Sequence, residues 1–236
     1  MVKKVVFRLF LLFFVSAVMF GGCAKKNGVT FEGNIRNADG DFLKISILKQ
    51  SETIFLDSVK IEDGTFSITL PSENADPAFY VLSLNENEAL TTLASRGERL
   101  HLKASAQNFA ADYEISGAKD AELMMQLNRQ LTLFADSANH LYDVYVNDND
   151  ETLHAEVEAA YVQIKQHHRD FLLRFIQGNP TSLSTIAAFY QKYDNCTFFN
   201  EKDDFNILND IYNNLMKTYP DNENVKVLEK RLYGRD

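Results

Sequence analysis

The sequence holds no Cys-x-x-Cys pair, no Gly-x-Ser-x-Gly elbow and no phosphate-cradling glycine loop, and its carboxylates form no paired catalytic motif. These absences remove the sequence signatures of thiol–disulfide exchange, elbow-type serine hydrolysis and nucleotide-phosphate chemistry. No catalytic residue, cofactor or metal is expected, and the chain is read as a non-enzyme. Cysteine is scarce, with only Cys23 and Cys196. Basic residues are in deficit, 24 Lys and Arg against 33 Asp and Glu, for a net charge of -9. That balance disfavours nucleic acid or an anionic lipid surface as the main partner. The acids are scattered rather than bunched in one tail, so they read as a solvated surface. After residue 20 no apolar run approaches the ~20 residues of a spanning helix.

What is present begins with an address. Lys3, Lys4 and Arg8 precede a largely apolar run from Leu9 to Phe20, and Gly21-Gly22 follow. A positive start, a short apolar middle and small residues before a cleavage point make a secretory signal over 1–22. Cys23 comes next, and this arrangement resembles the lipobox of bacterial lipoproteins. The resemblance implies a diacylated Cys23 at a new N-terminus, with residues 23–28 as the tether. Two or more acyl chains are what stable membrane anchoring requires. With Cys23 acylated, Cys196 would have no disulfide partner in the chain.

From Val29 the pattern is one of short alternating runs. VTFEGNIRN, FLKISILK, TIFLDSVKI, TFSITL, AFYVLSL, ALTTLA, RLHLKA and YEIS read as strands. Ala38-Asp39-Gly40, Asp63-Gly64 and Arg96-Gly97-Glu98 read as the turns between them, and Asp-Gly is a strong hairpin signal. After Gly117 the period changes. Leu123, Leu127, Leu131, Phe134, Ala138, Leu141 and Tyr145 make one helical stripe, and Leu153, Val157, Tyr161, Ile164, His168, Phe171 and Phe175 make a second. The residues 147–150 break the pattern between them, so the two helices form an antiparallel hairpin. Shorter helices are expected over Leu183–Tyr190, Asp203–Lys217 and Glu223–Leu232. The fold class is α+β: an antiparallel β-sandwich domain over 29–117, then an α-helical bundle domain over 118–236.

The strand runs, the Asp57-Ser58-Val59 triplet, the turn at Asp63-Gly64-Phe66 and the run EISGAKDAELMMQLNRQL carry a resemblance. Over about Val29 to Leu131 the chain resembles a domain of unknown function that heads lipoproteins of Bacteroidetes-type Gram-negative anaerobes. In most members this domain leads through helices to a thioredoxin-like domain with a Cys-x-x-Cys pair. Here the sequence ends where that domain would begin, and it has neither the pair nor any tryptophan. The resemblance thus implies an envelope lipoprotein without transferring oxidoreductase activity to any residue. Ala24, Lys25 and Lys26 after the lipobox cysteine include neither the aspartate that resembles an inner-membrane retention signal nor the acidic run that resembles a surface-export signal of such bacteria, so the resemblance implies the periplasmic face of the outer membrane.

Individual candidates are few. Cys196, in KYDNCTFF, is a possible thiol site, but Asp194 and two phenylalanines beside it argue for a packed, inert side chain. His167, His168 and His154 lack metal-ligand spacing, and His168 falls in the apolar stripe as a core or edge residue. Asp148, Asn149, Asp150 and Glu151 resemble a calcium loop only in composition and read as a capping loop. Ser58 and Ser137, in Asp57-Ser58-Val59 and Asp136-Ser137-Ala138, resemble a short O-glycosylation motif of such anaerobes. Tyr142, Tyr145, Tyr161, Phe171 and Phe175 are expected to form the seam of the helical hairpin, with a ligand groove as the alternative. The leading functional expectation is an interaction or assembly module with an envelope protein partner, a thioredoxin-like protein being one candidate. The alternatives are a binding protein for a small apolar or glycan ligand held between sandwich and helices, and an accessory to a separate thiol–disulfide oxidoreductase through Cys196.

Overall fold

Alternation decides the first half of the chain. The computed structural model describes residues 28–50, 52–72, 75–85, 88–148 and 150–234. The signal, the tether up to Asn27 and Cys23 lie outside them. Eight strands follow in order: β1 (Gly28–Arg36), β2 (Phe42–Leu48), β3 (Thr53–Lys60), β4 (Thr65–Pro71), β5 (Ala78–Ser83), β6 (Ala89–Ala94), β7 (Arg99–Ser105) and β8 (Tyr113–Ser116). They form two four-stranded sheets, β4-β1-β7-β8 and β3-β2-β5-β6. Every second residue points into a shared cluster that includes Phe31, Ile35, Leu43, Ile45, Leu82, Leu100 and Leu102, all essentially buried. Phe31 of the first sheet meets Tyr80 of the second edge to face, at 5.3 Å between ring centroids.

Three features depart from the sequence reading. β1 pairs with β7 in parallel, so the sheets are not wholly antiparallel. The connection between these two strands is the whole second sheet plus β4, which is long enough for a parallel crossover. The Asp63-Gly64 turn forms, with positive φ at both residues and a Glu62–Thr65 bridge. It does not close a hairpin within one sheet, however: it carries the chain from β3 in the second sheet to β4 in the first. Finally, β3 is an edge strand, and its apolar Ile54, Phe55 and Leu56 are exposed instead of half-buried. Ile45 faces Asp57 and Ser46 faces Phe55, which leaves Leu56 as a bulge. Such a bulge twists a free edge away from further strand pairing.

The second half is helical: α1 (Lys119–Asn147), α2 (Glu151–Gly178), α3 (Ser184–Phe189), α4 (Phe205–Thr218) and α5 (Glu223–Tyr233). Asp150 caps α2 by accepting from the Thr152 N–H at 2.8 Å, and Asn222 caps α5 in the same way through Asn224 at 2.9 Å. The long pair α1–α2 is antiparallel in layout, as the polar loop between them requires. Phe79 and Leu93, on the outer face of the second sheet, join the helical cluster with Met124, Leu127, Leu183 and Leu228. The second sheet is therefore packed on both faces, by the first sheet and by the helices. The Asn222 side chain also donates to the Pro77 carbonyl at 3.1 Å, pinning α5 to the loop before β5. Between α3 and α4 lies a two-residue-stranded hairpin that the periodicity does not reveal, β9 (Lys192–Tyr193) and β10 (Cys196–Thr197). Among the described residues no helix is long and apolar enough to cross a membrane.

Candidate interaction groove

The apolar stripe of α1 is covered only part of the way along. Leu127, Phe134 and Ala138 are buried, and Phe134 is the hub of the covered part. Its ring meets Phe198 and Tyr193 edge to face, at 5.0 and 5.7 Å, and lies 5.2 Å from His168. Past Ala138 the cover of the α1–α2 hairpin ends at the β9–β10 hairpin, whose Tyr193 reaches Asn139. There α1 and α2 flank a groove of about 730 Å³ whose lining includes Leu141, Tyr142, Tyr145, Val157, Tyr161 and Val162. Tyr142 and Val162 are each 65% exposed. Tyr142 was expected in the hairpin seam and is not there. It follows Leu141 by one residue, and that step of about 100° turns its ring off the α1–α2 contact.

The third wall is the β9–β10 hairpin. Asp194 occupies its turn at φ 50°, a left-handed conformation that aspartate tolerates better than most residues. The Tyr193 hydroxyl donates to the Asn139 Oδ1 at 2.6 Å, which ties the hairpin across α1. Asp194 and, from α2, Glu158 bring carboxylates to the groove. At the tip Tyr145 stacks on His154 at 4.2 Å, and the His154 ring nitrogen Nε2 lies 2.7 Å from the Asp148 carbonyl. Burial first, then the neighbouring Cys196, Tyr193 and Asp194, push the Tyr161 hydroxyl up to about 12. Tyr161 is thus a neutral phenol at any physiological pH.

The electrostatics of this arm are one-sided. Between Arg129 and Lys165 the sequence has no lysine or arginine, but it has Asp136, Asp143, Asp148, Asp150, Glu151, Glu156 and Glu158. Among the described residues none of the seven is in an ion pair. The start of α1 lies at the same end of the sheets as Gly28. Gly97 donates to the Gly28 carbonyl at 2.8 Å, and Gly117 packs so tightly on the Arg99 carbonyl that a Cβ would sit 2.1 Å from it. Tyr142 is 23 residues further along, roughly 35 Å at the rise of an α-helix.

The other candidates stand apart from one another. Cys196 is half-buried on β10, next to the groove and the Tyr161 hydroxyl, with its thiol 3.9 Å from the Thr197 carbonyl. Ser137 is exposed on α1 and donates to the Leu133 carbonyl at 2.9 Å; Ser58 lies on the edge strand β3. His168 is buried at 5% exposure and lies 2.7 Å from the Gln191 Oε1, and burial lowers its pKa. Among the described residues no group of three His, Cys, Asp or Glu could hold a metal ion. A second crevice of about 400 Å³ runs between the second sheet and the helices, past Phe79, Met124, Leu131 and Tyr190. At its edge the Tyr190 hydroxyl and Arg231 both donate to Glu201, at 2.8 and 2.7 Å, so these polar groups already satisfy one another.

Residues 29–124 match one family, described as Domain of unknown function (DUF4369). The DUF4369 match takes in all eight strands and only the first turn and a half of α1. The groove, the β9–β10 hairpin and Cys196 all lie beyond it. No curated protein matches the chain.

The mini-hairpin wall, with Tyr193 and Asn139, is the part of the groove that periodicity misses. Its one signal is the Asp194-Asn195 dipeptide between Tyr193 and Cys196, a turn-forming pair flanked by strand formers.

Proposed function

We propose that the protein is a non-enzymatic lipoprotein of a Bacteroidetes-type cell envelope, held by acyl chains on Cys23 and working as an interaction module. Its β-sandwich domain, 29–117, serves as the scaffold, and its helical domain, 118–236, presents the docking surface. The observation that carries this reading is the open groove, with Tyr142 and Val162 at 65% exposure on the uncovered end of the hairpin. Exposed apolar surface on this scale marks a site of association more often than a solvent face. Gly28 lies five positions along the chain from Cys23, a reach of at most ~18 Å. On the periplasmic face of the outer membrane the groove would then stand out from the lipid surface and face soluble or neighbouring envelope proteins.

The test combines two experiments. Cys23→Ser should move the chain from the membrane fraction to the soluble fraction and remove the acyl mass. A photo-reactive group at position 142 should then cross-link one envelope protein in a stoichiometric complex, and that complex should disappear in Val162→Asp. Capture that is indifferent to Val162→Asp would remove the groove from the reading. The crevice between the second sheet and the helices supports the small-ligand alternative. An apolar ligand that raises the melting temperature, with loss of the effect in Leu131→Phe, would bring that alternative forward. A role beside a separate thioredoxin-like thiol–disulfide oxidoreductase requires Cys196 to label quickly with a thiol reagent at neutral pH.

A further inference from the structure

Resting on the docking reading above, we propose that the occupant of the groove is a basic segment of a partner protein, carrying arginine or lysine among apolar side chains. The groove offers two kinds of contact together. Leu141, Val157 and Val162 supply an apolar floor and flank, while Tyr142 and Tyr145 present exposed aromatic rings. Glu158, from α2, and Asp194, from the β9–β10 hairpin, line the same groove. A guanidinium or ammonium over a tyrosine face with a carboxylate beside it gains from the ring quadrupole and from the ion pair at once, and arginine's flat fork suits both.

Charge decides between occupants. The arm from residue 130 to residue 164 carries seven carboxylates and no lysine or arginine. Lys192, on β9, is the nearest cation in the hairpin wall. An acidic peptide or an anionic lipid surface would meet uncompensated repulsion there. So would a second copy of this chain, which brings the same acidic arm. A purely apolar ligand would leave the carboxylates without a partner. The floor from Ala138 to Tyr145 spans seven residues of helix, roughly 10 Å. Three residues of an extended peptide or two turns of a helical one fill that length.

The chain has no tryptophan, and four of its 10 tyrosines, Tyr142, Tyr145, Tyr161 and Tyr193, line the groove, so a peptide seated there changes part of the tyrosine emission. The full chain, solubilised in a neutral detergent, is titrated with three hexapeptides of sequence Arg-Leu-Arg-Lys-Leu-Arg, Gln-Leu-Gln-Gln-Leu-Gln and Glu-Leu-Glu-Glu-Leu-Glu. The basic peptide should bind about tenfold or more tighter than the neutral one, the acidic peptide should not bind, and the affinity should fall as salt is raised. Tyr142→Ala, and separately Glu158→Gln with Asp194→Asn, should each weaken the basic peptide by about tenfold while leaving the melting temperature unchanged, since these side chains are at the surface. Equal binding of basic and neutral peptides, still dependent on Tyr142, would overturn the charge inference and leave the docking reading standing. Basic-peptide binding indifferent to all three substitutions would be diffuse attraction and would also overturn it. No binding by any peptide, with no cross-link from position 142, would remove the docking reading and this inference together.

Discussion

Arg169 on α2 holds Asp204, at the start of α4, in a two-pronged ion pair, with guanidinium-to-carboxylate distances of 2.5 and 3.2 Å. The same guanidinium donates to the Phe198 carbonyl at 2.5 Å and lies over the Phe199 ring, 4.4 Å from its centroid. One side chain therefore fixes the loop that follows the β9–β10 hairpin, and with it the third wall of the groove.

Replacing Arg169 by methionine keeps the packing over Phe199 but leaves a carbonyl and a carboxylate without their donor. The pair is only partly buried, so the expected cost is about 2 kcal/mol, below that of a fully buried pair. Urea denaturation measures it. The pair also has a pH signature, because the Arg169 hydrogen bonds, against a smaller burial effect, hold the Asp204 carboxyl below its ordinary value. A depressed carboxyl stabilises the fold above the unfolded value, near 4, and that contribution is lost as pH falls through the folded one. Asp204→Asn should flatten the acid side of the stability profile; an unchanged slope would show that the pair contributes nothing.

Gly33 sits in the centre of β1 at φ 154°, where an added Cβ would lie 1.8 Å from the Leu102 carbonyl oxygen of β7. Both partners are backbone in the middle of a sheet and neither can give way. Gly33→Ala should cost more than about 3 kcal/mol or prevent folding. Gly178, the last residue of α2, has nothing within 4 Å of such a Cβ. Gly178→Ala should be neutral or stabilise by up to about 1 kcal/mol, and equal behaviour of the two variants in thermal melts would refute the steric argument.

These residues show what could be read in advance. Strand alternation is local, so all eight strands of the first half and the stripes of α1 and α2 were visible in the sequence. What depends on distant partners was not. The parallel β1–β7 pairing, the sheet crossing at Asp63-Gly64 and the bulge at Leu56 are decided by which strands meet, and no window of ten residues contains that. Gly33 looked like one more residue on the inward face, although it is there to let β7 approach. In the groove, Tyr145, Tyr161 and Val157 were seen as stripe residues, but nothing in a stripe says where its cover stops. The β9–β10 wall has strands too short to show any period.

Thr92 on β6 faces the core between the sheets with no exposed surface, and its hydroxyl has no hydrogen-bond partner among the described residues. The folded state has stripped that group of water without a replacement. Valine has nearly the same shape and no such need, so Thr92→Val should stabilise the fold by about 1 kcal/mol. A loss of stability in chemical denaturation would mean that an ordered water or a shifted carbonyl serves the hydroxyl in solution.

His168 is the one buried histidine among the described residues. It lies among Phe134, Phe171 and Phe198, with Gln191 as its hydrogen-bond partner, and burial lowers its pKa from the ordinary 6.5. The unfolded chain therefore takes up the proton first as pH falls. Stability is fully present above about pH 7, declines once pH drops below about 6.5, and finishes declining below the folded value. His168→Gln removes the titration and can still donate a hydrogen bond toward Gln191. The denaturation midpoint of the parent should fall as pH drops below about 6.5, while that of the variant stays level there. If both fall together, the buried imidazole is not the source.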